Sequence, residues 1–187
     1  KKNSTLISIG TLLSKSGGMA RQVIIAAVFG VGTIYDAYNY AYILPGFFLI
    51  LIGGINGPLH NAIVTILSRK EKKESAYILC TVNTYILFTL IFISGVLFFA
   101  ADPVIRIVGP GLEESTHLLA VNQLKIMSPI ILLSGFIGTG FGTLNAKDEF
   151  LIPALSPLIS SIILILAISI FWIDQSNYFS NMNLVDL

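Results

Sequence analysis

Between Glu74 and Asp102 the chain carries no charged residue, only the largely apolar run "SAYILCTVNTYILFTLIFISGVLFFAA". Roughly 20 mostly apolar residues are what one helix needs to cross the hydrocarbon core of a bilayer. Several other runs in the chain reach that length. Hydrophobic residues make up 55% of the 187, and charged residues 11%. An ordinary soluble domain carries about 25% charged residues. Mean hydropathy, at +0.84, points the same way. In lipid, backbone polar groups must be satisfied within the segment. The sequence therefore predicts an all-α integral membrane protein with no soluble domain.

The breaks between apolar runs are "GVGT", "SRKEKKES", "ADPVIRIVGPGLEEST" and "NAKDEF". They predict about five transmembrane helices, over residues 4–29, 35–67, 75–100, 117–144 and 150–172. Lys1, Lys2, Arg69, Lys70, Lys72, Lys73 and Lys147 then fall on one side of the membrane, and Arg106 on the other. Cations concentrate on the cytoplasmic side, so this bias predicts a cytoplasmic N-terminus. The third loop, residues 101–116, would lie outside, either as a short half-helix in the interface or as an ordered loop.

The chain has no starting Met and no signal-peptide pattern with a cleavage site, and it ends on the polar "NMNLVDL". A piece of a longer protein is expected. The lone Cys80 excludes an internal disulfide and a multi-cysteine metal site. Neither a metal-protease helix motif, nor a phosphate loop, nor a serine-nucleophile pattern is present. His60 and His117 stand isolated, without metal-ligand spacing. A net charge of +1 gives no reason to expect a nucleic-acid partner.

The functional question is concentrated in "SKSGGMARQ", residues 14–22. A Lys or Arg at a helix centre costs about 2.5–3.5 kcal/mol to insert, while each surrounding Leu, Ile, Val or Phe returns about 0.3–0.6 kcal/mol. The helix still inserts, but folding alone does not call for these cations. Such residues face a bundle interior or a watery cavity. At helical spacing Ser14, Gly17, Gly18 and Arg21 share one face, and Lys15 adjoins it with Gly18 and Gln22. Lys15 and Arg21 stand about 9 Å and about 120° apart on a straight helix. They could border one wide cavity for an anionic headgroup, with Arg as a bidentate phosphate ligand and Lys as a point charge. The alternative is that each snorkels or pairs with an acid. Asp36 is the nearest candidate partner or gate contact, and equally a helix-start acid favoured by the macrodipole.

In "LPGFFLILIGGINGP", Pro45 is expected to kink the second helix and Gly53, Gly54, Gly57 and Pro58 to loosen it. Broken helices at membrane depth face protein or a cavity, and tight packing would explain them equally well. The small-residue spacings Ser14 to Gly18 and Gly138 to Gly142 predict close helix contact. Gln123 and Lys125 lie near the outer end of the fourth helix, where Lys125 would snorkel to the interface. "RKEKKE" reads as a solvated turn within reach of lipid headgroups.

The pattern "SKSGGMARQVIIAAVFGVGTIYDAYNYAYILPG" resembles the start of the MurJ/MviN family of lipid II flippases. The matching places are Ser14-Lys15, Gly18-Met19-Ala20-Arg21, Phe29-Gly30, Thr33 with Asp36-Ala37, and Leu44-Pro45. "GPGL", "QLKIMSPIILLSG", "GTLNA" and "FLIPALSPLI" extend the resemblance over nearly the whole chain. It implies part of the N-terminal lobe of a larger two-lobe transporter. The family's first-helix cavity arginines would correspond to Lys15 and Arg21. Leu49 and Ile50 stand where the family carries two more arginines.

That resemblance implies movement of the undecaprenyl-pyrophosphate-linked peptidoglycan precursor, lipid II, from the inner to the outer leaflet of the bacterial plasma membrane by alternating access. Substrate contact is expected from Arg21 and Lys15 with Ser14 and Gly18, and charge balance or gating from Asp36. Membrane lipids and the remaining helices of a longer chain are the other expected partners. No bond is broken, so no enzyme, cofactor or metal is implied. Export of another lipid-linked glycan or amphiphilic solute, or a non-transporting scaffold for cell-wall enzymes, are the alternatives.

Overall fold

Glycines and prolines decide where many of the helices of this chain begin and end. The computed structural model describes the backbone of residues 2–30, 32–55 and 57–185, and the side chains of 8–28, 30, 32–55 and 57–173. Lys1, the Lys2 side chain and the side chains of "NMNLVDL" lie outside the described residues. Among those described, all regular structure is helical: α1 (Lys2–Phe29), α2 (Thr33–Leu51), α3 (Pro58–Leu67), α4 (Lys72–Phe99), α5 (Ala101–Val108), α6 (Glu114–Met127), α7 (Pro129–Ala146) and α8 (Leu151–Val185). They form two compact units, one of Lys1–Val31 with Phe150–Leu187, the other of Gly32–Glu149.

The first unit is the pair α1 and α8. Gly30 closes α1 at φ 70°, a left-handed cap open to glycine at little cost, and its N–H bonds the Ala26 carbonyl at 3.0 Å. Gly10 faces Ala154 and Leu155, and Gly17 faces Leu158 and Ser161. Between them Ser14 Oγ donates to the Ala154 carbonyl oxygen. Residue numbers rise together on both helices, so α1 and α8 run parallel. Gly10, Ser14 and Gly17 form one stripe of small residues that lets the backbones approach. Gly18 has no neighbouring atom within 4 Å of the place a Cβ would occupy. The contact expected from the Ser14–Gly18 spacing is therefore made by Ser14 with Gly17. Pro157 sits inside α8 and offers no N–H to the Pro153 carbonyl, and Ser161 Oγ bonds the Pro157 carbonyl at 2.8 Å.

In the second unit, α2 and α3 occupy the place of one expected helix. The helix runs through Pro45 without interruption and stops before Gly53. The expected break therefore falls at Gly53–Gly57 and not at Pro45. A proline removes one backbone bond, but its φ fits a helix. A Cβ on Gly53 would lie 3.0 Å from the Ser134 carbonyl oxygen of α7. Pro58 then opens α3 at its first turn, where a missing N–H costs nothing.

The expected fourth helix is likewise two, α6 and α7, meeting at Ser128. Pro129 cannot donate to the Lys125 carbonyl, and Ser128 Oγ does so instead at 2.9 Å. Ser94 of α4 bonds the Ser128 carbonyl at 2.9 Å. Leu59 and Ile63 of α3 meet Gly138 and Gly142 of α7 in that order, so α3 and α7 run parallel. Ile86 and Leu90 of α4 meet Gly135 while Ser94 meets Ser128, so α4 runs antiparallel to α7. One apolar cluster joins Ala37 and Ala41 to Ile105, Ala120 and Leu124; a second joins Leu90 and Leu97 to Ile131.

Three helices among the described residues are long and apolar enough to cross a membrane: Lys72–Phe99, Pro129–Ala146 and Leu151–Ile173. Two of the five expected spans fall short of that measure. Lys15 and Arg21 dilute α1, and Asp36, Asn39 and four tyrosines dilute α2.

Residues 101–108 of the third loop form the short helix α5, which buries Ala101 and Ile105 and exposes Asp102 and Arg106. Asp102 accepts from Arg106 Nε at 3.0 Å and lies 2.8 Å from His117 Nε2 on α6. The Arg106 bond, then the His117 bond, holds the Asp102 carboxyl below its ordinary value of 3.8. With a depressed folded-state pKa, this clasp contributes fully above the ordinary value and is lost as pH falls through the lowered one. Protection of the α5 amides from hydrogen exchange, relative to their intrinsic rates, should therefore fall in acid below about pH 4. Asp102→Asn should exchange faster at neutral pH and lose that acid dependence. An unchanged acid response in Asp102→Asn would assign the effect to another group.

Candidate functional site

No described side chain in the unit that holds the α1 cations is an acid. Described side chains of the α1–α8 unit include Lys15 and Arg21 and no carboxylate. Lys15 is exposed and Arg21 half-buried, and neither has an ion pair among the described residues. Ser14 is 6% exposed and its hydroxyl is committed to α8. The structure thus gives Ser14 to the helix seam and leaves Lys15 with the open ground over Gly18. Arg21 continues the line of Ser14 and Gly17 by two turns, at the margin of the seam. The arrangement is a partly exposed cationic helix face with room beside it, suited chemically to a phosphate-bearing ligand.

On α2, Asp36 is exposed in the first turn, where the helix dipole favours an acid. Tyr38 stacks on Tyr35 at 6.5 Å and on Tyr42 at 5.8 Å, and the Tyr42 ring lies against Gly46. The i, i+3, i+7 spacing of these tyrosines is legible in the sequence. Pro45 is buried within α2, and Gly53, Gly54 and Gly57 form the break after it. Leu49 is half-buried and Ile50 75% exposed.

Neither histidine is isolated in the fold. His60 is 3% exposed, with its Nε2 2.8 Å from Asn145 Nδ2 across α3 and α7. His117 is tied to Asp102. Sequence spacing gave no sign of either contact, because both partners come from distant helices. Among the described residues no cluster of His, Cys, Asp or Glu could hold a metal ion.

Comparison with known proteins decides the family. The sequence model of the lipid II flippase MurJ family matches residues 25–181. The chain belongs to the MurJ family. A relative from Synechocystis, named "Probable lipid II flippase MurJ", is 50% identical over 88% of this chain and 31% of its own length. The "Lipid II flippase MurJ" of Thermosipho africanus is 34% identical over 88% of the chain and 34% of its own length. That of Burkholderia cenocepacia is 28% identical over 84% and 31%. The chain thus spans about a third of the length of the MurJ relatives it matches. No solved structure matches it significantly. Family and apolar helices together make it a membrane protein. The family match begins after Lys15 and Arg21.

Proposed function

We propose that the chain forms part of the N-terminal lobe of a lipid II flippase in the bacterial plasma membrane, and that Arg21 and Lys15 contact the pyrophosphate of the lipid-linked precursor. The observation that carries the proposal is the pair of cations on α1 in a helix unit whose described side chains hold no carboxylate. A diphosphate would supply a counterion that no described side chain of the unit offers. Its prenyl tail would stay in lipid while the headgroup passes through a cavity as the lobes rock. Asp36 would balance charge or meet the outer gate. No covalent step is involved.

Helix directions support five crossings. With α1 and α8 parallel, an odd number of crossings must separate them. The segments α2–α3, α4 and α6–α7, alternating in direction, supply three. Together with the loop cations this favours a cytoplasmic N-terminus. In the full-length protein with Cys80→Ala, a membrane-impermeant thiol reagent on intact cells should label Glu113→Cys and spare Lys72→Cys. The reverse pattern would overturn the topology. A flipping assay on the full-length protein tests the function, and retention of the headgroup in the inner leaflet would reject it.

A further inference from the structure

Lys70, from the turn between α3 and α4, Lys72, from the start of α4, and Lys147, from the end of α7, line one cavity of about 490 Å³. Its floor is apolar, built from Leu67, Leu79 and Ala146. Lys70 is paired with Glu74. Lys72 and Lys147 make no ion pair among the described residues and are exposed. Two unpaired ammonium groups therefore flank an apolar floor. Both Ser75 and Thr143, which also line the cavity, donate their hydroxyl protons to backbone carbonyls, so the donors left for a ligand are the lysines.

Lys72 is the first residue of the candidate span α4, and Ala146 the last of the candidate span α7. The cavity thus sits at headgroup level, with an apolar floor that a free inorganic anion would leave unused. We propose that it binds the phosphate of an anionic phospholipid of the cytoplasmic leaflet, with Lys72 and Lys147 on the phosphate and the glycerol–acyl junction on Leu67 and Leu79. The leaflet follows from the topology proposed above; the headgroup chemistry does not depend on it. Its lining includes neither Lys15 nor Arg21.

The test uses the full-length protein in nanodiscs of phosphatidylcholine doped with photoactivatable phosphatidylglycerol. Crosslinks should map to residues 67–79 and 143–147, and photoactivatable phosphatidylcholine should give few there. Changing Lys72→Gln with Lys147→Gln should lower the yield by about fivefold for each lysine. Retaining the charge, as Lys72→Arg with Lys147→Arg, should preserve it. Lys73→Gln, outside the cavity lining, should leave it unchanged. Millimolar inorganic phosphate should not compete. Equal yield from the two lipids, no loss in the double glutamine variant, or full competition by phosphate would each overturn the proposal, the last by making this a free-phosphate site. Phosphatidylglycerol occupies both nanodisc leaflets, so failure of crosslinking rejects the headgroup site alone. Outer-face labelling of Lys72→Cys rejects the topology and the leaflet.

Discussion

Replacing Arg21 by alanine should cut headgroup translocation by about tenfold to a hundredfold while leaving the protein in the membrane at normal abundance. A charge-assisted hydrogen bond contributes about 1.5–3 kcal/mol, and each 1.4 kcal/mol is a factor of ten. Insertion should not suffer, because removing the cation makes α1 more apolar and relieves about 2.5–3.5 kcal/mol. No carboxylate among the unit's described side chains is left unpaired by the change. Arg21→Lys should recover only part of the activity, since the charge returns without the planar fork. The measurement is flipping or complementation in the full-length protein, normalised to the amount in the membrane. Full activity of Arg21→Ala at normal abundance would reject headgroup contact. An ion-pair role would show instead as lost abundance that a second change, Asp36→Asn, restores.

The second large effect should come from Gly138, with no charge involved. A Cβ there would fall on the Ile52 carbonyl oxygen and 3.3 Å from Leu59 Cδ2. The oxygen belongs to the backbone at the α2–α3 break, so nothing flexible can turn aside. Overpacking a well-packed site costs about 1–3 kcal/mol, and Gly138→Ala should sit at or above the upper end. Gly140→Ala, two residues along the same helix, meets no atom within 4 Å. It should be neutral or slightly stabilising, because alanine exceeds glycine in helix propensity by about 1 kcal/mol. Thermal unfolding in detergent compares the two. Equal melting temperatures would show that α7 does not pack against the break in this way.

Much of this fold was legible because lipid permits so few backbone solutions. Apolar length alone located the helical stretches, and "GGINGP" marked the break after α2. Pro45 does not end α2, because a packed helix absorbs the loss of one backbone bond. Ser128 was invisible for the converse reason. Its role is to serve the carbonyl that Pro129 leaves unpaired, and that shows only with both residues in place. The parallel pairing of α1 with α8 had no sequence signal beyond small residues, since lipid-facing and protein-facing surfaces are equally apolar here. At the candidate site the cations declared themselves by their insertion cost. Nothing in spacing alone said that Ser14 would be taken by the Ala154 carbonyl while Gly18 stayed open.

That hydrogen bond also sets an order of events during synthesis. Ser14 and Ala154 are separated by 140 positions. At about 5–20 residues per second, on the order of 10 s pass between their emergence from the ribosome. Throughout that interval α1 has its stripe of Gly10, Ser14 and Gly17 uncovered by α8. α1 therefore waits for its partner while the helices of the second unit are made. Whatever receives the nascent chain must leave that face of α1 free until α8 arrives.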